Sequence, residues 1–188
     1  MALSQSRALS NAVVALPVVL TLVFIGWTRL SGSDEEPQPH LALAEGDRLP
    51  DVMLTDADGR RVPLSASIGT GPWLILLVSE TCPHCETQVA AIEEMAALPE
   101  GLGGLDVSVV VMGEKAREPL WRPESSSFPV YEDRDGELKD ELRLRVVPVS
   151  LFGRGDATVR RVEIGWTSAD RIRGVTAAFL SNNAVGAE

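Results

Sequence analysis

The longest apolar run of the chain lies near its beginning. Residues 8–28 carry no charged side chain, and Arg7 and Arg29 border them on either side. At a rise of about 1.5 Å per residue, a helix over this run would be roughly 31 Å long, close to the hydrocarbon thickness of a bilayer. We therefore expect a retained transmembrane anchor within residues 1–30, with a cleaved signal peptide as the alternative.

The next stretch of the chain changes from apolar to polar. Residues 31–46 are rich in Ser, Gly, Pro and acidic side chains, a composition typical of a tether. Regular apolar patterns then continue to residue 181. The sequence therefore predicts a linker over residues 31–46, one folded domain over residues 47–181 and a flexible tail over residues 182–188.

Two kinds of apolar pattern alternate within this domain. Short apolar runs bounded by turn residues predict strands, and Asp58-Gly59 and Gly155-Asp156 mark two hairpin turns. Apolar positions at helical spacing predict helices, the first of which has Pro83 in its opening turn. The expected strands are residues 52–54, 62–64, 73–78, 107–112, 128–131, 149–152 and 159–164. The expected helices are residues 83–98, 115–121, 137–144 and 168–180. This alternation indicates an α/β sandwich, with a central mixed β-sheet flanked by helices.

Composition and charge narrow the range of partners. Apolar residues make up 45% of the chain, which is enough for a globular core. The chain has 27 acidic and 17 basic side chains and a net charge of −10. An acidic surface repels phosphate backbones, so we expect no nucleic-acid partner.

The chain has two cysteines, Cys82 and Cys85, three positions apart. A disulfide between them would close a very short loop, which restricts the unfolded chain far less than a long loop does. The pair is therefore better explained by redox chemistry than by structural stabilisation.

The sequence around the cysteines, C-P-H-C, directly follows the predicted strand over residues 73–78 and opens the predicted helix. The N-terminus of a helix carries partial positive charge and free N–H groups, both of which favour a thiolate. We expect Cys82 to be the exposed nucleophile and Cys85, one turn later, to be the thiol that resolves the mixed disulfide. His84 lies between them, and its imidazolium form would favour the thiolate further.

The order of strand, C-P-H-C, helix and then Val147-Pro148 before a strand and hairpin resembles the thioredoxin superfamily, over about residues 46–181. Residues 46–51 are similar to those of membrane-tethered redoxins of bacterial envelopes. These redoxins include the thioredoxin-like reductases of cytochrome c maturation and the accessory protein of methylamine dehydrogenase maturation. Residues 79–83 are more similar to the second group.

The resemblance implies a thiol–disulfide oxidoreductase with a thioredoxin-like sandwich. Its redox-active disulfide would join Cys82 to Cys85, with no other cofactor and no metal. The bond between Val147 and Pro148 would be cis and lie beside the dithiol, and Pro83 and His84 would support the reacting pair from within the motif. The activity would be that of a reductase or isomerase in protein maturation, with a disulfide-donating oxidase of the envelope as the alternative.

The resemblance also implies a location and partners. Residues 8–28 would cross the cytoplasmic (inner) membrane once and leave the C-terminal domain in the periplasm. The clients would be exported proteins that contain cysteines. A thiol–disulfide relay protein of the membrane would recycle the pair.

Three other functions compete with this hypothesis. A zinc site needs four ligands. Besides the two cysteines the chain offers two histidines, His40 and His84, and His40 lies in the predicted linker, which disfavours a zinc site. Peroxiredoxins carry proline at the position of Ile75, which disfavours a peroxidase. A non-enzymatic module of thioredoxin fold that binds clients or handles a metal is the third alternative.

The sequence identifies no proton acceptor for Cys85. Many thioredoxin-like relatives bury an acid near the second cysteine, whereas this chain has Leu76 in the strand and Gln88 one turn after Cys85. Glu80 and Glu86 lie close by in the sequence, and we expect both to be solvated. We expect the tryptophans of the domain to pack in the core or at its rim; these are Trp73, Trp121 and Trp166.

Overall fold

The computed structural model describes residues 40–99, 101–113 and 118–184, all of which fall within one compact unit. The predicted anchor and most of the predicted linker lie outside these ranges, and so do residues 185–188 of the predicted tail. Within the described ranges, no helix combines the length and apolar character that crossing a membrane requires. The anchor therefore stays a prediction.

A seven-stranded mixed sheet forms the centre of the domain. Its strands are β1 (Met53–Asp56), β2 (Arg61–Pro63), β3 (Pro72–Val78), β4 (Asp106–Met112), β5 (Val130–Asp133), β6 (Val149–Arg154) and β7 (Val159–Ile164). Their order across the sheet is β2-β1-β5-β4-β3-β6-β7. β4 runs parallel to both β3 and β5, and the other neighbouring strands are antiparallel. The predicted α/β architecture with a central mixed sheet is confirmed.

β3 is covered on both faces. Its residues alternate between two hydrophobic cores, because successive side chains of a strand point to opposite sides of the sheet. The first core receives Leu74, Leu76 and Val78, and the second receives Trp73, Ile75 and Leu77. All six are buried, as expected for a continuous apolar run at the middle of a sheet. This burial holds the end of β3, where the C-P-H-C motif follows, in a fixed position.

Helices pack on both faces of the sheet. They are α1 (Pro83–Ala96), α2 (Glu137–Glu141) and α3 (Ala169–Ala184). Ile92 of α1 and Phe179 of α3 belong to the first core, whereas Leu138 of α2 belongs to the second. Short 3₁₀ helices are found at Leu64–Ser67 and Pro123–Ser125.

α2 ends three residues before the predicted position. Arg143 adopts a left-handed backbone conformation with φ of +47°, which ends the helix. The N–H of Leu144 then donates to the carbonyl oxygen of Lys139 at 2.9 Å, and the N–H of Arg143 donates to that of Asp140 at 3.0 Å. These two bonds form a Schellman cap, in which arginine takes the position that glycine usually occupies.

α3 continues to Ala184, four residues past its expected end and into the predicted tail. Prolines explain the differences in two further elements. A helix was expected over residues 115–121; residues 114–117 lie outside the described ranges, and residues 118–121 are not helical. Pro119 and Pro123 disfavour helical conformations in the residues that precede them. β5 begins at Val130 rather than at residue 128, because Pro129 has no N–H to donate to a neighbouring strand.

The end of the predicted linker packs against the domain. Leu41 is buried in the second core. The N–H of Ala42 donates to the carbonyl oxygen of Leu142 at 2.7 Å, and the N–H of Gly46 donates to that of Val159 at 2.8 Å. Composition thus assigned residues 40–46 to the tether, although Leu41, Leu43 and these backbone bonds hold them in place.

Glu93 joins α1 to the segment that precedes β5. One of its oxygens accepts hydrogen bonds from Oγ of Ser126 at 2.8 Å and from the N–H and Oγ of Ser127 at 2.7 and 3.2 Å. Partial burial, the largest single influence, raises the pKa of Glu93. The three hydrogen bonds together outweigh burial and hold that pKa below its ordinary value of 4.5.

We expect Glu93→Gln to lower the free energy of unfolding at pH 7 by about 1 kcal/mol, because a charged acceptor forms stronger hydrogen bonds than an amide, and partial exposure limits the gain. A lowered folded-state pKa adds stability that is complete above the unfolded-state pKa and is lost as the pH falls through the folded-state pKa. The difference between wild type and variant should therefore shrink below about pH 4, which urea denaturation at several pH values would measure. Glu94→Gln, on the exposed face of α1, is the matched control. Equal effects of the two substitutions would contradict this account.

Candidate active site

Cys82 and Cys85 form a disulfide at the start of α1, with their Cα atoms 5.4 Å apart. Cys82 is the N-cap residue, with extended dihedral angles of φ −95° and ψ 113°, and Pro83 occupies the first turn. Cys82 is 9% exposed, whereas Cys85 is fully buried. Cys82 is therefore the cysteine of the pair that an incoming molecule can approach, whereas Cys85 is enclosed.

The first turn of α1 favours negative charge on the sulfur of Cys82. The positive end of the helix dipole lies here. Cys82 stands at this end, whereas Cys85 lies one turn inside the helix. After reduction, a thiolate at Cys82 is therefore stabilised relative to a thiolate at Cys85.

The second part of the site is the loop before β6. The peptide bond between Val147 and Pro148 is cis, as the resemblance implied. The carbonyl oxygen of Val147 lies 3.7 Å from Sγ of Cys82. Val149, which follows Pro148, pairs with Leu77 near the end of β3, so the pairing of β3 with β6 sets this loop against the disulfide. The residues proposed from the sequence thus meet at one place; they are Cys82, Pro83, His84, Cys85, Val147 and Pro148.

The third part of the site is the loop between β7 and α3, which the sequence analysis did not assign to it. Trp166 in this loop is 51% exposed, unlike the two other tryptophans of the domain, which are buried. Its ring centroid lies 6.2 Å from that of His84, with the rings tilted by 42°. The preceding residue, Gly165, has φ of +83°, a backbone angle that residues with a Cβ rarely adopt. Its N–H donates to the carbonyl oxygen of Pro148 at 2.8 Å.

Gln88 ties this loop to α1. Its side chain is fully buried, and its Oε1 accepts a hydrogen bond from the N–H of Thr167 at 2.9 Å. Its Nε2 has no hydrogen-bond partner among the described residues, an arrangement that costs about 1–3 kcal/mol. The sequence did offer one signal for Gln88 as a site residue. It follows Cys85 by three positions, and positions three apart share one face of a helix.

Glu80 is not solvated, contrary to the sequence prediction. It is 4% exposed, whereas Glu86 lies on the surface as expected. The segment before the Pro123–Ser125 turn covers it. The N–H of Leu120 donates to the carbonyl oxygen of Glu80 at 2.9 Å, and Nε1 of Trp121 donates to that of Ser79 at 2.9 Å. This packing depends on residues about 40 positions away, which local sequence pattern does not predict.

Metal ligands do not cluster in the part of the chain that the structure describes. No group of three or more His, Cys, Asp or Glu side chains there is arranged to hold a metal ion. His40 is exposed and contributes its backbone carbonyl, which accepts the N–H of Arg145 at 3.1 Å. The redox-active group that these residues provide is the disulfide itself.

Comparison with known proteins agrees with this architecture. A model of the AhpC/TSA family matches residues 46–161. A protein of Haemophilus influenzae, named only as an uncharacterized protein, is 29% identical over 133 residues, which cover 66% of this chain and 83% of the other.

Solved structures share the fold at low sequence identity. An uncharacterized thioredoxin-like protein from Porphyromonas gingivalis has a TM-score of 0.58 and 18% identity, and the match covers 73% of this chain and 95% of the other. The thioredoxin domain of a thiol-disulfide oxidoreductase from Bacteroides vulgatus has a TM-score of 0.56 and 17% identity, over 73% and 98% of the two chains. A secreted disulfide oxidoreductase of Mycobacterium tuberculosis, homologous to E. coli DsbE, has a TM-score of 0.54 and 17% identity, over 68% and 96%. The fold is therefore thioredoxin-like.

Proposed function

This chain belongs to the AhpC/TSA family, and we propose that it is a protein thiol–disulfide oxidoreductase that works through Cys82 and Cys85. The observation that carries the proposal is the setting of the disulfide. It opens a helix, leaves Cys82 slightly accessible while Cys85 is fully buried, and places Sγ of Cys82 3.7 Å from the carbonyl oxygen of Val147. Two of the solved structures of this fold are named as oxidoreductases of the same chemistry.

In the reducing direction, the thiolate of Cys82 attacks one sulfur of a client disulfide. A new S–S bond joins Cys82 to the client, and the client's other sulfur leaves as a thiolate that takes up a proton. Cys85 then loses its proton, and its thiolate attacks Sγ of Cys82, which releases the client's second sulfur. Two electrons pass to the client, and the protein is left with the Cys82–Cys85 disulfide.

The loop before β6 supports this reaction by giving the client's backbone a place to bind. The carbonyl oxygen of Val147 lies beside the reacting sulfur and can accept an N–H from an extended client segment. The bond would align the client's disulfide with Sγ of Cys82 before the attack. Binding through the backbone does not itself depend on the client's side chains.

We propose that the pair works mainly as a reductant or isomerase in the maturation of an exported client. The predicted tether supports this direction, because it resembles that of envelope reductases and maturation factors. His84 favours the opposite direction, because an imidazolium beside Cys82 would stabilise the reduced form and make the disulfide more oxidising. A disulfide-donating oxidase is therefore the specific alternative.

We also propose that residues 8–28 anchor the chain in the cytoplasmic membrane and that the domain lies in the periplasm. The uncharged run is long enough to span a bilayer. Arg7 precedes the run, and acidic residues follow soon after Arg29, a distribution that favours a cytoplasmic N-terminus. A thiol–disulfide relay protein of the same membrane would return the disulfide to the dithiol.

Cys82→Ser should abolish disulfide exchange, whereas Cys85→Ser should accumulate covalent complexes with clients, because its mixed disulfide has no resolving thiol. Non-reducing electrophoresis of the full-length variants, followed by mass spectrometry of the captured bands, would measure this. The variant that lacks both cysteines is the control and should capture nothing. Capture by Cys82→Ser instead would reverse the roles of the two cysteines.

The reduction potential of the pair should lie near that of thioredoxin, about −270 mV, if the protein is a reductant. Equilibration of the full-length chain with glutathione buffers, with the dithiol fraction determined by alkylation, would provide the value. His84→Ala should make the potential more negative, because it removes a group that favours the thiolate. A wild-type value near −120 mV would identify a disulfide donor and refute the proposed direction.

The full-length chain should remain in the membrane pellet after an alkaline carbonate wash, because residues 8–28 insert into the bilayer. A chain that starts at residue 31 behind a cleavable export signal is the matched control and should be recovered in the soluble periplasmic fraction. A soluble mature protein that lacks residues 1–30 would show that the segment is a signal peptide.

A further inference from the structure

Trp166 presents a large apolar ring to solvent beside the dithiol. It is 51% exposed, although a tryptophan contributes most to stability when it is buried. The ring lies against His84, the residue that separates Pro83 from Cys85. The indole therefore borders the surface over which a client must approach Cys82.

Two hydrogen bonds fix the loop that carries this ring. On one side of Trp166, the N–H of Gly165 donates to the carbonyl oxygen of Pro148 at 2.8 Å. On the other side, the N–H of Thr167 donates to Oε1 of Gln88 at 2.9 Å. The loop that carries Trp166 is thus hydrogen-bonded both to the loop before β6 and to α1, the two elements that form the dithiol site.

The buried side chain of Gln88 lowers the stability of the fold, which a purely structural role would not explain. It is fully buried, and its Nε2 has no partner among the described residues. A leucine would avoid the unpaired Nε2, but it would leave the buried N–H of Thr167 without its acceptor. The glutamine provides what leucine lacks, an acceptor for the N–H of Thr167.

We infer that Trp166 is a specificity-determining residue of the proposed exchange reaction and that Gln88 is the positioning residue that holds it in place. The inference rests on the proposed function. Cys82 is only 9% exposed, so the client residues next to the reacting cysteine must lie on the surface around the dithiol. There they meet the indole of Trp166, whose ring centroid lies 6.2 Å from that of His84.

The chemistry of this surface selects one class of client. Clients with an aromatic or aliphatic side chain next to the reacting cysteine bury apolar area against Trp166, whereas clients with a small polar side chain do not. The contact forms in the encounter complex and is kept in the mixed disulfide. It therefore raises the rate constant for exchange at low client concentration.

The test compares two disulfide-linked peptides that differ in the residue after the cysteine, phenylalanine in one and serine in the other. The reduced full-length protein should react with the phenylalanine peptide with a second-order rate constant about ten-fold higher, the size expected for one aromatic contact with partial burial. Trp166→Ala should lower this ratio to about one. Leu98→Ala removes an exposed apolar residue two positions beyond the C-terminal end of α1 and should leave the ratio unchanged.

Gln88 is tested by a pair of variants. Gln88→Leu removes the acceptor and should lower the ratio to about one, whereas Gln88→Glu keeps an acceptor oxygen and should retain most of it. The emission of Trp166, obtained by subtracting the spectrum of Trp166→Phe in each background, should change in Gln88→Leu and not in Gln88→Glu. A merely structural role of Gln88 would slow both peptides equally and leave the ratio at ten.

Three results would overturn the inference. Trp166→Ala could keep the ratio, Gln88→Leu could keep both the ratio and the Trp166 emission, or the wild type could show no preference between the peptides. Exchange with hydroxyethyl disulfide separates these results from a failure of the proposed function. Wild-type protein that reacts with this small disulfide but shows no peptide preference refutes the inference alone, and protein that reacts with neither refutes the proposed function as well.

Discussion

The antiparallel pairing of β3 with β6 is the interaction on which the rest of the site depends. Leu77, near the end of β3, pairs with Val149 at the beginning of β6. In an antiparallel pair, the residues that follow one strand and those that precede its neighbour lie at the same edge of the sheet. That register brings Val147 against Cys82, although 65 residues separate them. Because β3 is buried on both faces, a slip by one residue would send its side chains into the wrong cores, and the register is strongly specified.

The loop between β7 and α3, the third segment of the site, lies at the same edge of the sheet. On its other side, Val149 pairs with Ile164 at the end of β7, so the residues after β7 also arrive beside the dithiol. Gly165 and Thr167 bond to the first two segments, and Trp166 is held between them. The site is thus assembled from three strand ends, which the pairing of β3, β6 and β7 brings to one edge of the sheet. The third segment carries an exposed indole and binds a buried amide whose nitrogen has no partner among the described residues, departures from ordinary packing that are common at functional sites.

The sequence predicts those parts of the structure that depend on local pattern. A continuous apolar run gives β3, and the C-P-H-C motif with its proline gives the start of α1, because period and capping chemistry are set by neighbouring residues. The cis bond before Pro148 came from resemblance to a family, since its physical cause lies in distant contacts. The burial of Glu80 could not be predicted, because it depends on a segment about 40 residues away that covers it. The hydrogen bond of Gln88 with Thr167 could not be predicted for the same reason, since 79 positions separate the two residues.

Two sources of charge act on the sulfur of Cys82, the acidic surface of the protein and the terminus of α1. The size of each contribution shows which one matters more. The net charge of −10 would by itself oppose a thiolate, but exposed charges are screened over about 8 Å at physiological ionic strength. A single exposed acid such as Glu86, in the first turn of α1, contributes about 0.2–1 kcal/mol at most. The terminus of a helix contributes up to about 2 kcal/mol in partly buried geometry, which is the situation of Cys82. The helix terminus therefore outweighs a single exposed acid in its effect on the sulfur of Cys82, whereas the acidic surface acts at longer range, on the approach of charged molecules.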